Sequence, residues 1–82
     1  MFKCTNYFST IRQRPDRKRI KDEWIEWVMD RSEFTLQQAD GRVRKWAKIV
    51  EADNRYLRVV LLEDGQTVHN AFFDRRFKGA LR

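Results

Sequence analysis

The stretch from Arg42 to Phe77, RVRKWAKIVE-ADN-RYLRVVLLE-DG-QTVHNAFFD-RRF, decides the fold. Apolar, aromatic and β-branched residues alternate with polar ones along it. Its interruptions, Ala52-Asp53-Asn54 and Asp64-Gly65, are turn residues, so the stretch reads as an antiparallel meander. A two-residue turn at Asp64-Gly65 sets Glu63 opposite Gln66, and then Leu61 opposite Val68, Val60 opposite His69, Arg58 opposite Ala71 and Leu57 opposite Phe72. A three-residue turn at Ala52–Asn54 sets Glu51 opposite Arg55, and then Ile49 opposite Leu57, Ala47 opposite Val59 and Trp46 opposite Val60.

These registers sort the side chains onto two faces. One face carries Val43, Ala47, Ile49, Leu57, Val59, Leu61, Val68 and Phe72, and is the side that packs on a helix. The other carries Arg44, Trp46, Lys48, Tyr56, Arg58, Val60, Leu62, Thr67, His69, Ala71 and Phe73, with rows Trp46/Val60/His69 and Lys48/Arg58/Ala71.

Upstream, Thr35–Ala39 reads as one more strand entering a hairpin at Asp40-Gly41. Before it, the run from Arg17 to Arg31 spaces Ile20, Trp24, Trp27 and Val28 at i, i+4, i+7 and i+8, widened by Ile25 and Met29, which predicts one helix. Its tryptophans are expected as core anchors against the sheet. Phe8–Gln13 reads as a short first strand ended by Pro15, with Asp16 capping the helix that follows. The expected fold is therefore α+β: a short N-terminal strand, one main helix, then an antiparallel meander of three to four strands packed on the helix. Residues 1–82 read as one domain, with 1–7 and 75–82 as flexible basic ends.

Composition narrows the function classes. The net charge is +6, and its distribution is uneven: residues 1–21 carry seven basic and one acidic side chain, residues 22–40 one and six, and residues 41–60 six and two. Positive charge on the N-terminal arm and the first two strands of the meander favours a polyanionic partner through phosphate neutralisation. There is no run of about 18 apolar residues and no secretory leader pattern, so no membrane is expected. A single cysteine, Cys4, builds no internal disulfide, which makes the cytoplasm the default compartment. One histidine and one cysteine far apart give no zinc set, the three glycines form no phosphate loop, and neither cofactor nor metal is expected.

The mixed face supplies the candidate chemistry. His69 titrates near neutral pH and can exchange a proton. Arg58 and Lys48 can stabilise charge on a phosphoryl group, and Trp46 or Tyr56 can stack a base. The same face, with Val60, Leu62, Ala71 and Phe73 on it, also suits a covered sheet or a subunit interface.

Three stretches, Lys21–Met29 (KDEWIEWVM), Ala39–Arg44 (ADGRVR) and Tyr56–Gly65 (YLRVVLLEDG) running into Val68–Arg76 (VHNAFFDRR), make the chain resemble short members of the RelE/ParE/BrnT-like toxin superfamily of bacterial toxin–antitoxin modules. The resemblance implies a metal-independent endoribonuclease that cuts RNA with basic and aromatic side chains and is neutralised by an antitoxin protein over the same surface. It implicates His69, Arg58, Arg44 and Arg75 in catalysis, and adds Arg76 to Trp46, Lys48 and Tyr56 for holding nucleic acid. The single-helix layout departs from the two helices usual in RelE-like toxins. The alternative is a non-catalytic module that binds nucleic acid or protein, or a homodimer.

Overall fold

The computed structural model describes residues 2–78. Three helices, α1 (Asn6–Ile11), α2 (Pro15–Lys18) and α3 (Asp22–Arg31), precede four strands, β1 (Phe34–Gln37), β2 (Val43–Ile49), β3 (Arg55–Leu61) and β4 (Val68–Phe73). The strands form one antiparallel sheet in the order β1-β2-β3-β4. The main helix α3 lies on β2 and β3, and α1 lies on β4. Fold class is as the sequence predicts, with corrections at the N-terminus and in the strand registers.

Phe8–Gln13 is helical rather than extended. The Thr5 hydroxyl accepts the Phe8 N–H at 3.1 Å, which caps the start of α1, and Phe8 and Ile11, three apart, fall on the buried side. Lys3 and Thr5 make backbone hydrogen bonds to Val68, so the expected flexible N-terminal end contains a docked segment. The expected continuous helix is broken in two. Pro15 opens α2 at its first position, where its missing N–H costs nothing. Asp16 sits inside that first turn instead of capping it. The backbone at Lys21 is extended, and α3 restarts with Asp22 and Glu23 in its first turn, where their charge suits the helix dipole.

The break changes which residues of α3 face the sheet. Ile25 and Val28 are fully buried, whereas Trp27 is 48% exposed with the Arg31 guanidinium over its ring. Trp24 is half-buried, donating to Glu51 and meeting Phe73 edge-on. The core is thus aliphatic: Phe8, Ile11, Ile20, Ile25 and Val28 from the helical side meet Ala47, Ile49, Leu57, Val59, Leu61, Val68 and Ala71 from the sheet. Lys45 shares that sheet face and escapes burial of its charge by reaching the Met29 carbonyl in the last turn of α3, 3.1 Å away.

Both meander registers differ from expectation, with different consequences. The β2–β3 connection spans Val50–Asn54, a 3-10 turn followed by Asp53 and Asn54 in the left-handed region, residue types that tolerate it. Ile49 therefore pairs with Arg55, Ala47 with Leu57 and Trp46 with Arg58. That is a shift of two positions, so the faces hold while the rows change. Between β3 and β4, Leu61 pairs with Val68 as expected, but Val60 pairs with Asn70, leaving His69 as an extra residue in a β-bulge. This shift of one moves Ala71 and Phe73 to the helix-facing side and Phe72 to the other.

The β1–β2 hairpin closes with Gln38 N–H donating to the Arg42 carbonyl around Ala39-Asp40-Gly41, and Gly41 has φ of 94°. A Cβ there would run into the Glu63 side chain on the neighbouring connection. Gly41→Ala is expected to destabilise the fold by about 1–3 kcal/mol through strain at positive φ, the exposed Glu63 side chain being free to turn aside. Denaturant titration of the two proteins measures this as a lower midpoint at unchanged slope.

Candidate nucleic-acid interface

The face away from α3 is organised around Trp46 and Asp74. Trp46 is only 4% exposed, although it points away from the main core. Phe77 folds back from beyond β4 and stacks on it, with centroids 4.7 Å apart and planes 9° from parallel. Phe34 of β1 lies against Trp46 at 5.5 Å, and Tyr56 meets Phe77 edge-on. The Trp46 indole N–H donates to Asp74 Oδ2 at 3.0 Å. Arg58 donates to the same oxygen from Nε at 3.1 Å and Nη2 at 2.8 Å.

This arrangement removes two sequence-predicted site residues from availability. Trp46 was expected as an exposed base-stacking indole, but Phe77 and Phe34 cover it. Arg58 was expected to brace a phosphoryl group, but its charge is matched by a carboxylate whose side chain is 9% exposed. Burial pushes the Asp74 carboxyl up. The hydrogen bonds from Trp46 and Arg58, the Arg58 charge and the Arg76 backbone N–H together outweigh it, and the pKa lies below the ordinary 3.8.

The expected rows Trp46/Val60/His69 and Lys48/Arg58/Ala71 are replaced by Phe34/Trp46/Arg58/Phe72 and Leu36/Arg44/Val60/Asn70. His69 sits in neither. Its ring stacks on Tyr7 of α1 at 4.9 Å, and its Nδ1 lies 3.2 Å from the Thr5 hydroxyl. Since that oxygen already accepts the Phe8 N–H, its proton is free to point at Nδ1. Desolvation and the Arg42 charge both lower the His69 pKa, so the imidazole is neutral at pH 7 and knits α1 to β4.

Of the other expected residues, Arg44 donates from Nε to Gln38 at 2.7 Å. Lys48 is exposed, with its ammonium 5.8 Å from the Tyr56 ring centroid. The Tyr56 hydroxyl donates to Glu33, and its pKa is raised, by burial first and the Glu33 charge second. Arg76 gives its backbone N–H to Asp74, and Arg75 is exposed.

Arg75 belongs to a different site. A groove of about 320 Å³ runs across the C-terminal end of β4, lined by Arg17 and Arg19 from the α2 segment, Arg55 from the start of β3, Arg75, Asp16, Phe72 and Phe73. Phe72 and Phe73 point to opposite faces, yet both line it because the groove wraps the edge of the sheet. Arg17 is held by Asn70 Oδ1 at 2.9 Å and lies over Phe72 at 5.3 Å. Arg55 lies over Phe73 at 4.1 Å and donates to the Ala52 carbonyl. Asp16 is the single carboxylate of the lining and pairs with Arg17 at 3.4 Å. Among the described residues Arg19, Arg55 and Arg75 form no ion pair.

The arrangement holds several guanidinium groups in a concave, aromatic-floored site with most of their charge unneutralised, which suits the spaced negative charges of a phosphodiester backbone. Sequence reading placed Arg17 and Arg19 in the basic start of the predicted helix and Arg55 at the start of a strand. The cluster exists because the α2 segment folds over the sheet edge, and no local pattern announces that. Among the described residues, no group of three or more His, Cys, Asp and Glu side chains is placed to hold a metal ion, and no helix is long and apolar enough to cross a membrane. Comparison with known proteins finds no matching family, no matching curated protein and no matching solved structure.

Because the folded pKa of Asp74 lies below its unfolded value, its contribution to stability is present in full above about pH 4 and is lost as pH falls through the folded pKa. Asp74→Asn should lower stability at pH 7 and flatten the acid limb of the stability curve. Urea melts of both proteins from pH 7 down to pH 3 check this, with Trp fluorescence reporting release of Phe77 from Trp46.

Proposed function

We propose that this chain binds RNA through the arginine groove at the end of β4 and, as the resemblance to RelE/BrnT-like toxins implies, cleaves it without a metal. The observation that carries the reading is the convergence of Arg17, Arg19, Arg55 and Arg75 over Phe72 and Phe73 with one carboxylate among them. In the proposed reaction the ribose 2′-oxygen attacks the adjacent phosphorus, the bond to the 5′-oxygen breaks, and a 2′,3′-cyclic phosphate is left. The guanidinium groups stabilise the charge that builds on the non-bridging oxygens. Asp16, within the groove, or solvent takes the 2′-OH proton, and solvent returns a proton to the departing 5′-oxygen, which leaves as a 5′-hydroxyl. His69 is not a lining residue, so the reaction does not depend on it. An antitoxin protein with an acidic segment would neutralise the groove by occupying the phosphate positions.

Binding without cleavage is the second reading. It is favoured by the absence of an imidazole from the groove lining and by the commitment of Arg58 to Asp74.

Purified chain should bind single-stranded RNA with affinity that falls steeply with salt. Four phosphate contacts correspond to a log–log slope of roughly −3. Replacing Arg55 and Arg75 together with Ala should reduce that slope to roughly half and weaken binding at least tenfold. Unchanged binding in the double variant would remove the groove from the reading. Incubation with labelled RNA in the presence of a chelator separates the two readings. Cyclic-phosphate products, their loss in the double variant and full retention in His69→Ala are expected for the nuclease. Bound but intact RNA identifies the binding module.

A further inference from the structure

The two edges of the sheet are treated differently. On β4 the Lys3–Thr5 segment pairs with Val68 and α1 packs alongside. On β1, among the described residues, nothing pairs with the outer side. Proteins usually guard such an edge with lysine, proline, a bulge or a covering loop. The β1 sequence Phe34-Thr-Leu-Gln37 has neither charge nor proline, and all four residues are exposed, Phe34 at 37% and Leu36 at 45%.

We infer that β1 is the pairing edge for a second copy of this chain, joining two four-stranded sheets edge to edge about a two-fold axis through Thr35. The register follows from the backbone. The Gln38 N–H donates to the Arg42 carbonyl across the β1–β2 hairpin. Alternation along an antiparallel ladder then turns the amide and carbonyl groups of Leu36 toward Arg44, and those of Thr35 and Gln37 outward. A two-fold axis perpendicular to the sheet keeps each face on its own side, so only residues of the same face can stand opposite. Centring on Thr35 satisfies both conditions. Thr35 meets Thr35 of the second copy with two backbone hydrogen bonds and Phe34 meets Leu36; the ladder stops there, because the Glu33 N–H is turned inward to the Trp46 carbonyl.

Charge supports this choice of occupant. The chain carries +6 overall, but the register opposes no two like charges. Two uncharged amphipathic edges meet where two copies of the arginine groove could not. The Phe34–Leu36 contacts would also continue the aromatic strip of Trp46, Tyr56 and Phe77 across the junction. This inference rests on the edge alone and is independent of the RNA reading, whose groove lies at the opposite edge.

Sedimentation equilibrium should return twice the 10.1 kDa chain mass, falling to the single-chain mass in Leu36→Lys and Thr35→Pro. Circular dichroism confirms that each variant retains its sheet. A cross-linking pair tests the register without relying on either variant. In a Cys4→Ser background, Thr35→Cys should form a disulfide-linked dimer on mild oxidation. Gln37→Cys should not, because its symmetry mate lies four positions along the strand, about 13 Å away. A single-chain mass at every concentration the chain reaches in solution would overturn the inference. So would equal cross-linking at positions 35 and 37, or pairing only with an added extended peptide of different sequence.

Discussion

One extra residue in β4 governs much of this structure. His69 stands unpaired between Leu61↔Val68 and Val60↔Asn70, and every residue after it is carried to the face opposite the one that simple alternation assigns. Ala71 can then be buried beneath the helices, and Phe73 can meet Trp24 and Arg55. Phe72 turns outward beneath Arg17 and Arg58. The bulge also bends the edge strand where α1 docks, and the unpaired residue spends its ring on Tyr7 and Thr5. A histidine conspicuous in the sequence as a candidate acid or base thus has a mechanical position in the fold.

With the bulge in place, the chain beyond β4 arrives where Asp74 can take hydrogen bonds from both Trp46 and Arg58. The result is a second, smaller packed layer on the sheet face away from α3, in which Phe77 covers Trp46 and meets Tyr56 and Phe34. A small domain has little core to spare, and using both sheet faces increases the area withdrawn from water. The same arrangement neutralises Arg58 at the centre of the sheet, while Arg19, Arg55 and Arg75 stay without an ion pair beside the end of β4. On the proposed reading a phosphate chain is drawn to the groove by β4, while β1 itself carries no charged residue.

Charge and concavity at the groove support the proposed affinity for a polyanion better than they support the proposed chemical step. Guanidinium groups stabilise phosphoryl charge whether or not a bond breaks, and Asp16 is the only carboxylate of the lining. The RNA-cleaving and RNA-binding readings thus share one surface and differ in what happens to a 2′-hydroxyl held there.

What the sequence determined by itself was local. Alternation and turn residues marked β1 to β4, helical spacing marked α3, and the faces of β2 and β3 survived an error in loop length because a shift of two preserves parity. The N-terminal helix was readable from Thr5 ahead of Asn6–Ile11, but weak alternation in Phe8–Gln13 competed with it. What only the tertiary structure decided was long-range: the bulge at His69, the break at Lys21, the burial of Trp46 and the union of Arg17, Arg19, Arg55 and Arg75. A bulge leaves no fixed residue signature, since any side chain can occupy it if the neighbouring packing compensates. The arginines meet because the α2 segment crosses the edge of β4, an outcome set by how the helices share the sheet and not by spacing along the chain.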